Sequence, residues 1–184
     1  MRAARKLVPA GAAAVLAFTL APAAQAQSPT PETAAVAPVS WAQRVSAQDR
    51  AYLREAHRGH LAEIAAGRAA LRESRDRDVR SIAARLIRDH GRLDARLREA
   101  ARRLRVSLPD SPSAEQRRDL RAVVARNGHR FDRAWLRLQR EAHEHALWLG
   151  ERQLRRGSSG WVKDLARDSA PVIRHHLHMV RTEL

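Results

Sequence analysis

Apolar residues recur every three or four positions along most of the chain after residue 45, a spacing that predicts amphipathic α-helices. β-Branched residues are sparse and no stretch alternates with period two, so no strand is predicted. Four long stretches with inward faces are typical of an all-α, antiparallel four-helix bundle. Those faces comprise Leu53, Ala56, His60, Ile64, Gly67 and Leu71; Ile82, Leu86, His90, Leu93, Leu97 and Leu104; Phe131, Trp135, Leu138, Ala142, Ala146 and Leu149; and Val162, Leu165, Ser169, Val172, His176 and Val180.

Capping residues indicate where the first two helices begin. Ser46 and Asp49 have the spacing of a capping-box pair at the start of the first. The second helix begins with Asp76 and Asp78 and ends with arginines, and charges placed in this way interact favourably with the helix dipole. We therefore expect the bundle domain to span residues 46–184.

Breakers and turn residues divide the second half of the chain. The segment Leu108–Pro112 ends the second helix region, and a short extra helix is expected from Ser113 to Ala125, with Asn127-Gly128 ending it. The third long helix should run from about Arg130 to Arg156, with Gly157 as its stop. The fourth should follow the sequence Ser158-Ser159-Gly160, and Pro171 should kink it about one turn before His176.

The N-terminal residues 1–26 have the three parts of a cleavable signal peptide. Basic residues precede a charge-free apolar stretch from Leu7 to Leu20, and Ala24-Gln25-Ala26 gives the small-x-small cleavage pattern before Gln27. The apolar stretch is shorter than the ~20 residues of a membrane span. Residues 27–45 are rich in Pro and Ala and are expected to form a flexible tether. We therefore expect an exported protein without a transmembrane segment after cleavage.

The composition limits the kinds of site that the protein can contain and the kinds of partner that it can bind. The chain has no cysteine, which excludes thiol catalysis, iron–sulfur clusters and cysteine-ligated zinc. Its formal charge is +15, and removal of the leader's three positive charges leaves +12. Such a charge favours an anionic partner, which for an exported protein is a cell-wall polymer or lipid headgroups, or else it reflects only an arginine-rich solvated surface. Nucleic-acid binding is disfavoured, since no recognition motif accompanies the charge.

One polar residue that can bind a metal lies on or beside the apolar face of each long helix. Inward-facing side chains from all four helices are how metal sites are built in bundle cores, and imidazole and carboxylate donors suit a single zinc, iron or copper ion. The same pattern would arise from a metal-free polar network, in which a buried histidine is satisfied by a backbone carbonyl or by a carboxylate, such as Asp94 one turn after His90. The candidate ligands are Glu63, His90, His143 and His176.

Several sequence stretches resemble, in order, an exported bacterial ferritin-like family known as a domain of unknown function (number four-one-four-two), also labelled as predicted outer-membrane proteins. The resemblance covers most of residues 46–182 and implies a ferritin-like four-helix bundle, with the family's inward Glu and three His falling on the four candidate ligands. It implies no activity. The stretches are Gly59–Ile64, Asp89-His90, Val106–Pro109, Phe131–Leu136 leading to His143, and Pro171–Leu177.

Comparison with ferritins disfavours di-iron oxidase chemistry. A di-iron bundle needs a Glu-x-x-His motif on each of two helices. Ile87 stands three residues before His90, and Ile173 stands three residues before His176, so both bridging carboxylates are missing. The sequence therefore predicts a non-enzymatic, exported bundle that acts through its surface at the cell envelope, or alternatively a metal-binding bundle for scavenging or redox protection.

Overall fold

The computed structural model describes residues 45–184, which form five α-helices and contain no strand. The all-α class is therefore confirmed for this part of the chain. The predicted signal peptide, and the predicted tether except for Val45, lie outside the described residues. The helices are α1 (Ala47–Glu73), α2 (Arg77–Arg103), α3 (Ala114–Val124), α4 (Gly128–Arg156) and α5 (Gly160–Thr182).

Side-chain caps fix the beginnings of the helices, and the expected capping box of α1 is confirmed. The Ser46 hydroxyl accepts from the Asp49 amide, and the Asp49 carboxylate accepts from the Ser46 amide. The Asp76 carboxylate accepts the first free amides of α2, and Ser113 opens α3 with a second capping box. Each of these contacts satisfies amides that have no partner within the helix.

Of the two glycines predicted to end helices, Gly157 does so and Gly128 does not. Gly128 was expected to end α3 but instead opens α4 at φ +48°, with Asn127 as the preceding cap residue, so that prediction is wrong. Gly157 does end α4, at φ −69°, a value open to any residue. Position 157 requires glycine because there is no space for a side chain, since a Cβ there would collide with the Gln153 side chain.

Residues 104–127, which contain α3, cross from one end of the bundle to the other. Turns of three residues join α1 to α2 and α4 to α5, which makes each pair antiparallel. Helices α1 and α4 are also antiparallel neighbours, since Trp135 bonds to the Ala66 carbonyl near one end while Gln153 bonds to Asp49 near the other. Helices α2 and α4 therefore run in the same direction, and the crossover returns the chain along α1 and α4.

A polar layer divides the hydrophobic core into two clusters. Both clusters are made largely of Ala, Leu and Val, with Trp135 and Phe131 as the largest fully buried side chains. Among residues 45–184, no helix combines the length with the apolar composition that a membrane span needs. One cluster contains Ala66, Ala70, Val79, Ile82, Ala83, Leu86, Val123, Phe131, Ala134, Trp135, Leu136 and Val180, and the other contains Tyr52, Leu53, Leu97, Ala101, Val106, Leu149, Val162 and Ala166.

Candidate metal centre

Three buried histidines from three different helices meet in the polar layer. His90 on α2, His143 on α4 and His176 on α5 are 3%, 1% and 0% exposed. Nε2 of His143 lies 3.4 Å from Nε2 of His90 and 3.4 Å from Nδ1 of His176. One ring nitrogen from each residue falls within 4.8 Å of the other two, a spacing at which one metal ion could contact all three. We refer to these residues as the three-histidine cluster.

The outer nitrogens of two rings have hydrogen-bond acceptors, which fixes where their protons are. Nδ1 of His143 lies 2.7 Å from the Gln139 carbonyl oxygen, and Nε2 of His176 lies 3.0 Å from Oδ2 of Asp89. A carbonyl and a carboxylate only accept, so these ring nitrogens donate. Nε2 of His143 and Nδ1 of His176 consequently carry lone pairs, and these two lone pairs face each other across 3.4 Å.

The outer nitrogen of the third ring contacts a fourth histidine. Nδ1 of His90 lies 3.0 Å from Nδ1 of His60 on α1, so one of these two nitrogens donates to the other. If His90 donates, its Nε2 presents a third lone pair to the cluster, and His60 holds its proton on Nε2. Each ligand ring would then be oriented by an outer partner, an arrangement typical of metal-bound histidines.

Burial keeps these rings neutral. Desolvation lowers the pKa of His60 to about 4 even though the nearby Asp94 carboxylate raises it. It also lowers the pKa of His143 to about 4, against the opposing bond to the Gln139 carbonyl. Desolvation shifts the pKa of His90 and that of His176 in the same direction. Neutral imidazoles with free lone pairs are the form that binds metals.

Glu63, the fourth ligand proposed from the sequence, lies beside the cluster rather than within it. Its Oε1 is 3.9 Å from Nδ1 of His143, the nitrogen on the opposite edge of that ring from the cluster. Burial raises the pKa of Glu63 to about 8, so the carboxyl is mainly protonated at neutral pH. Its Oε2 and both side-chain amide atoms of Gln139 are buried without a hydrogen-bond partner among the described residues.

Asp94 pairs with a different histidine from the one that the sequence suggested. The sequence suggests Asp94 as a partner for His90, which stands one turn before it on α2. Instead Oδ1 of Asp94 lies 2.5 Å from Nδ1 of His57, and its Oδ2 lies 3.4 Å from Nε of Arg98. His90 points to His60, so that suggestion is wrong.

Sequence reasoning missed the groups that orient the cluster. Asp89 is adjacent to His90, but only the packing of α2 against α5 shows that it contacts His176. His60 lies on the predicted inner face of α1 but is not among the predicted ligands. Its position between apolar residues of that face could have indicated a buried histidine close to the site. The Gln139 carbonyl is a backbone group four residues before His143, and any residue could supply it.

The sequence model of the DUF4142 family, described as a domain of unknown function, matches residues 34–182 of the chain. This is the family whose motifs the sequence resembles. No curated protein matches the chain.

Three solved structures share the arrangement of the helices. A DUF305 fragment from Deinococcus radiodurans has a TM-score of 0.67 at 17% identity, covering 75% of this chain and 95% of that chain. A DUF305 protein from Streptomyces coelicolor, predicted to be secreted, has a TM-score of 0.63 at 14% identity, covering 72% and 88%. CopM in its Cu(I)-bound form has a TM-score of 0.62 at 17% identity, covering 73% and 93%. At these identities the likeness concerns the fold alone.

Proposed function

The chain belongs to the DUF4142 family, a domain of unknown function, and we propose from its own geometry that it is a metal-binding helical bundle. Its site holds one copper(I) ion on Nε2 of His90, Nε2 of His143 and Nδ1 of His176. The protein acts in copper scavenging or protection, without catalytic turnover.

The facing lone pairs of the three-histidine cluster carry this proposal. Nε2 of His143 and Nδ1 of His176 are 3.4 Å apart, fully buried, and unable to donate because their outer nitrogens hold the protons. Two acceptors facing each other in a dry core are unfavourable unless a cation or a proton lies between them. Because burial lowers the pKa of both rings, a metal ion suits this position better than a proton.

The charge of the donor set favours a monovalent ion. Three neutral imidazoles add no negative charge, and the cost of burying an ion rises steeply with its charge. Imidazole is a suitable ligand for copper, zinc and iron, so the donor type alone does not choose among them. The Cu(I)-bound CopM, which has a similar fold, supports copper.

The four-ligand set that includes Glu63 suits a divalent ion. Loss of the Glu63 proton would supply a negative charge beside the cluster, which would partly balance the second charge of zinc or iron(II). In the described structure the carboxyl faces Nδ1 of His143, so direct ligation requires it to pass to the other edge of that ring. Copper(I) needs no such movement.

Metal analysis of untagged protein, expressed from the full sequence and purified without chelator, tests the proposal. After incubation with copper(I), zinc and iron(II) in turn, we expect about one equivalent of copper. The double variant His90→Ala/His176→Ala should bind none and keep its helical circular dichroism. The double variant His145→Ala/His178→Ala removes two exposed histidines and should bind as the wild type does. Copper retained by the first variant would refute the proposed site.

The crossover between α2 and α4 supports a ferritin-like bundle. Bundles of that class have one long crossover connection, whereas simple up-and-down bundles have only short loops. The Streptomyces coelicolor neighbour, predicted to be secreted, supports export of this chain by the signal peptide expected at residues 1–26. Detection of mature protein that begins at Gln27 in the exported fraction would establish both the cleavage and the location.

A second candidate function is binding to an anionic envelope partner, and the outer face of α2 favours it. Four arginines are exposed there with helical spacing, and only Arg92 has an ion pair among the described residues, at 3.9 Å from Asp89. Such a row suits the repeated charges of a cell-wall polymer or of lipid headgroups. Sedimentation with purified wall polymer or anionic vesicles should weaken steeply as salt rises, and binding that persists at high salt would contradict an electrostatic mode. The row is Arg85, Arg88, Arg92 and Arg96.

A further inference from the structure

Two tryptophans are exposed on the surface of the bundle, and each has an arginine over its ring. Trp148 on α4 is 47% exposed and Trp161 on α5 is 37% exposed. The guanidinium carbon of Arg152 lies 5.3 Å from the centre of the Trp148 ring, and that of Arg103 lies 5.2 Å from the centre of the Trp161 ring. Such cation–π contacts hold a guanidinium beside an indole. Each pair therefore presents an apolar ring and a positive charge at the same point of the surface.

Both pairs lie around the end of the bundle at which α1 begins. Nε of Arg152 donates to Oε1 of Gln48, in the first turn of α1, across 3.0 Å. Arg103 is the last residue of α2, which is antiparallel to α1 and so ends beside that first turn. Trp161 is the second residue of α5 and contacts Arg103 from the neighbouring helix. We refer to Trp148, Arg152, Arg103 and Trp161 as the tryptophan–arginine end.

The same end of the bundle has positive charges that are not balanced by acidic side chains. The acidic residues nearby, Glu99, Glu151 and Asp164, are each paired with an arginine. Four further cations have no ion pair within residues 45–184, so this end favours an anionic partner. These cations are Arg105, Arg152, Arg156 and Lys163.

Arg105 occupies a position that usually holds glycine. It directly follows Leu104, the cap residue of α2, and has φ +54°, in the left-handed region. The Arg105 amide donates to the Arg102 carbonyl and the Val106 amide donates to the Ala101 carbonyl, which is the pattern of a Schellman motif. Glycine is favoured there because a Cβ makes this conformation less stable. Arg105 therefore adds an exposed charge to this end at some cost in stability.

We propose that the tryptophan–arginine end binds the surface of an anionic phospholipid bilayer, independently of the copper site. The indoles of Trp148 and Trp161 lie at the level of the lipid headgroups, where an apolar ring with one polar N–H is well accommodated. Arg103 and Arg152 pair with lipid phosphates. A wall polymer would also pair with the arginines but would leave both indoles in water, so the exposed tryptophans favour the bilayer.

The positions of the two rings determine how the bundle lies on the bilayer. Trp148 stands eight residues before the end of α4, which is about 12 Å along the helix, whereas Trp161 lies at the very start of α5. Helix α5 packs against both α2 and α4. The two rings therefore flank the first half of α5, and the bundle binds in a tilted orientation with the beginning of α5 nearest the bilayer.

Sedimentation of the full-length chain with lipid vesicles tests this binding. We compare vesicles of phosphatidylcholine with vesicles that also contain phosphatidylglycerol, and we expect binding only to the second kind. Lipids brominated in their acyl chains should quench part of the indole fluorescence of the bound protein. That quenching should be absent from the double variant Trp148→Ser/Trp161→Ser. Quenching that persists unchanged in this variant, or no binding by the wild type, would overturn the proposal.

A matched pair of variants tests the contribution of the indoles. Trp148→Ser/Trp161→Ser should bind the anionic vesicles at least about tenfold more weakly, because less apolar surface leaves water on binding. Val124→Ser/Leu184→Ser removes two other exposed apolar side chains, at the opposite end of the bundle, and should bind as the wild type does. Circular dichroism and thermal midpoints confirm that each variant is folded. Equal affinities of the two double variants would overturn the proposal.

A second matched pair separates local from overall charge. Arg103→Gln/Arg152→Gln should weaken binding by about tenfold or more, since each basic residue at a membrane surface contributes about fivefold. Arg118→Gln/Arg121→Gln removes the same charge from α3 and should have little effect. Equal losses would show that binding follows net charge alone and would overturn the assignment to this end. Loss of binding to purified wall polymer in the tryptophan variant, without any vesicle binding by the wild type, would also overturn it.

Discussion

Nε2 of His176 donates to the carboxylate of Asp89 across the interface of α5 and α2, with 3.0 Å between Nε2 and Oδ2. The bond holds the ring so that Nδ1 faces the cluster, and it places a negative charge behind a neutral ligand. His176 is fully buried whereas Asp89 is partly exposed, so the orienting charge keeps some contact with water. Asp89 is therefore a positioning residue for the site.

Replacement of Asp89 should weaken copper binding without destroying the fold. Asp89→Ala removes both the acceptor and its charge, and loss of such an outer partner typically costs about 10–100-fold in metal affinity. Asp89→Asn retains an oxygen acceptor, so its loss should be smaller. Competition titration against a copper(I) chelator measures both. Equal affinities for wild type and Asp89→Ala would show that this bond does not orient the ligand.

The metal-free protein should be most stable near pH 6.5. The pKa of His60 and that of His143 fall from an ordinary value of 6.5 to about 4 in the folded chain, so the unfolded chain binds more protons between these values. Stability therefore drops as pH falls from 6.5 toward 4. Glu63 acts in the opposite sense, because its pKa rises from 4.5 to about 8 and stability drops as pH rises through that window. Urea midpoints measured from pH 4 to pH 9 give the profile.

Glu63→Gln separates the two contributions. Glutamine does not titrate, so above pH 6.5 the declining limb should flatten, while the acid limb from the histidines should remain or steepen. An unchanged decline between pH 6.5 and pH 8 in this variant would contradict the assignment to Glu63.

Asp49 should be among the most sensitive positions for stability. It is fully buried and accepts from Gln153, Ser46, Ser158 and the Ser159 amide. Burial alone would raise its pKa, but these hydrogen bonds outweigh that effect and lower the pKa to about 2. Removal of a buried, charged acceptor leaves several donors unsatisfied, so Asp49→Ala should cost about 3 kcal/mol or more of unfolding free energy.

Asp76→Ala provides the matched control for that loss. Asp76 also caps a helix, but it is exposed, and within residues 45–184 its carboxylate accepts only from the amides of Asp78 and Val79. Its removal should cost about 1 kcal/mol. Equal losses for the two variants in urea unfolding would show that the contacts of Asp49 to the α4–α5 turn contribute nothing beyond capping.

Gln139→Leu should stabilise the metal-free protein. The side-chain amide of Gln139 is buried and neither of its polar atoms has a partner in the described part of the chain. An apolar replacement of similar size removes an unsatisfied group that costs about 1–3 kcal/mol. The backbone carbonyl that accepts from His143 is retained, so copper affinity should hold. A lower thermal midpoint for Gln139→Leu would indicate that the amide is satisfied in solution.

The helices could be predicted from the sequence because the residues that determine where each helix begins and ends lie close together in the chain. Periodic apolar positions, the Ser46–Asp49 capping box and the loop residues around Pro109 act within a few residues of each other. Gly128 was misassigned because a glycine at a junction can serve either the helix before it or the helix after it. The crossover path of residues 104–127 depends on which helices become neighbours, and that is settled by packing over long separations.

The candidate site was only partly accessible from sequence for the same reason. The inner faces of the helices indicated His90, His143 and His176, and the structure brings these three together. The depth of Glu63 relative to the cluster depends on the rotation of α1, which spacing alone does not determine. The pairing of Asp94 with His57 and of Asp89 with His176 involves contacts between helices, so adjacency in sequence indicated the wrong partner for Asp94.

The central claim is that one copper(I) ion binds between His90, His143 and His176. Anomalous diffraction at the copper edge, from crystals of the untagged protein loaded with copper(I), tests this directly. We predict a single strong peak about 2.0–2.1 Å from Nε2 of His90, Nε2 of His143 and Nδ1 of His176, the length of a zinc–imidazole bond. A cluster without a peak, or copper bound only at exposed residues such as His145 or His178, would contradict the account.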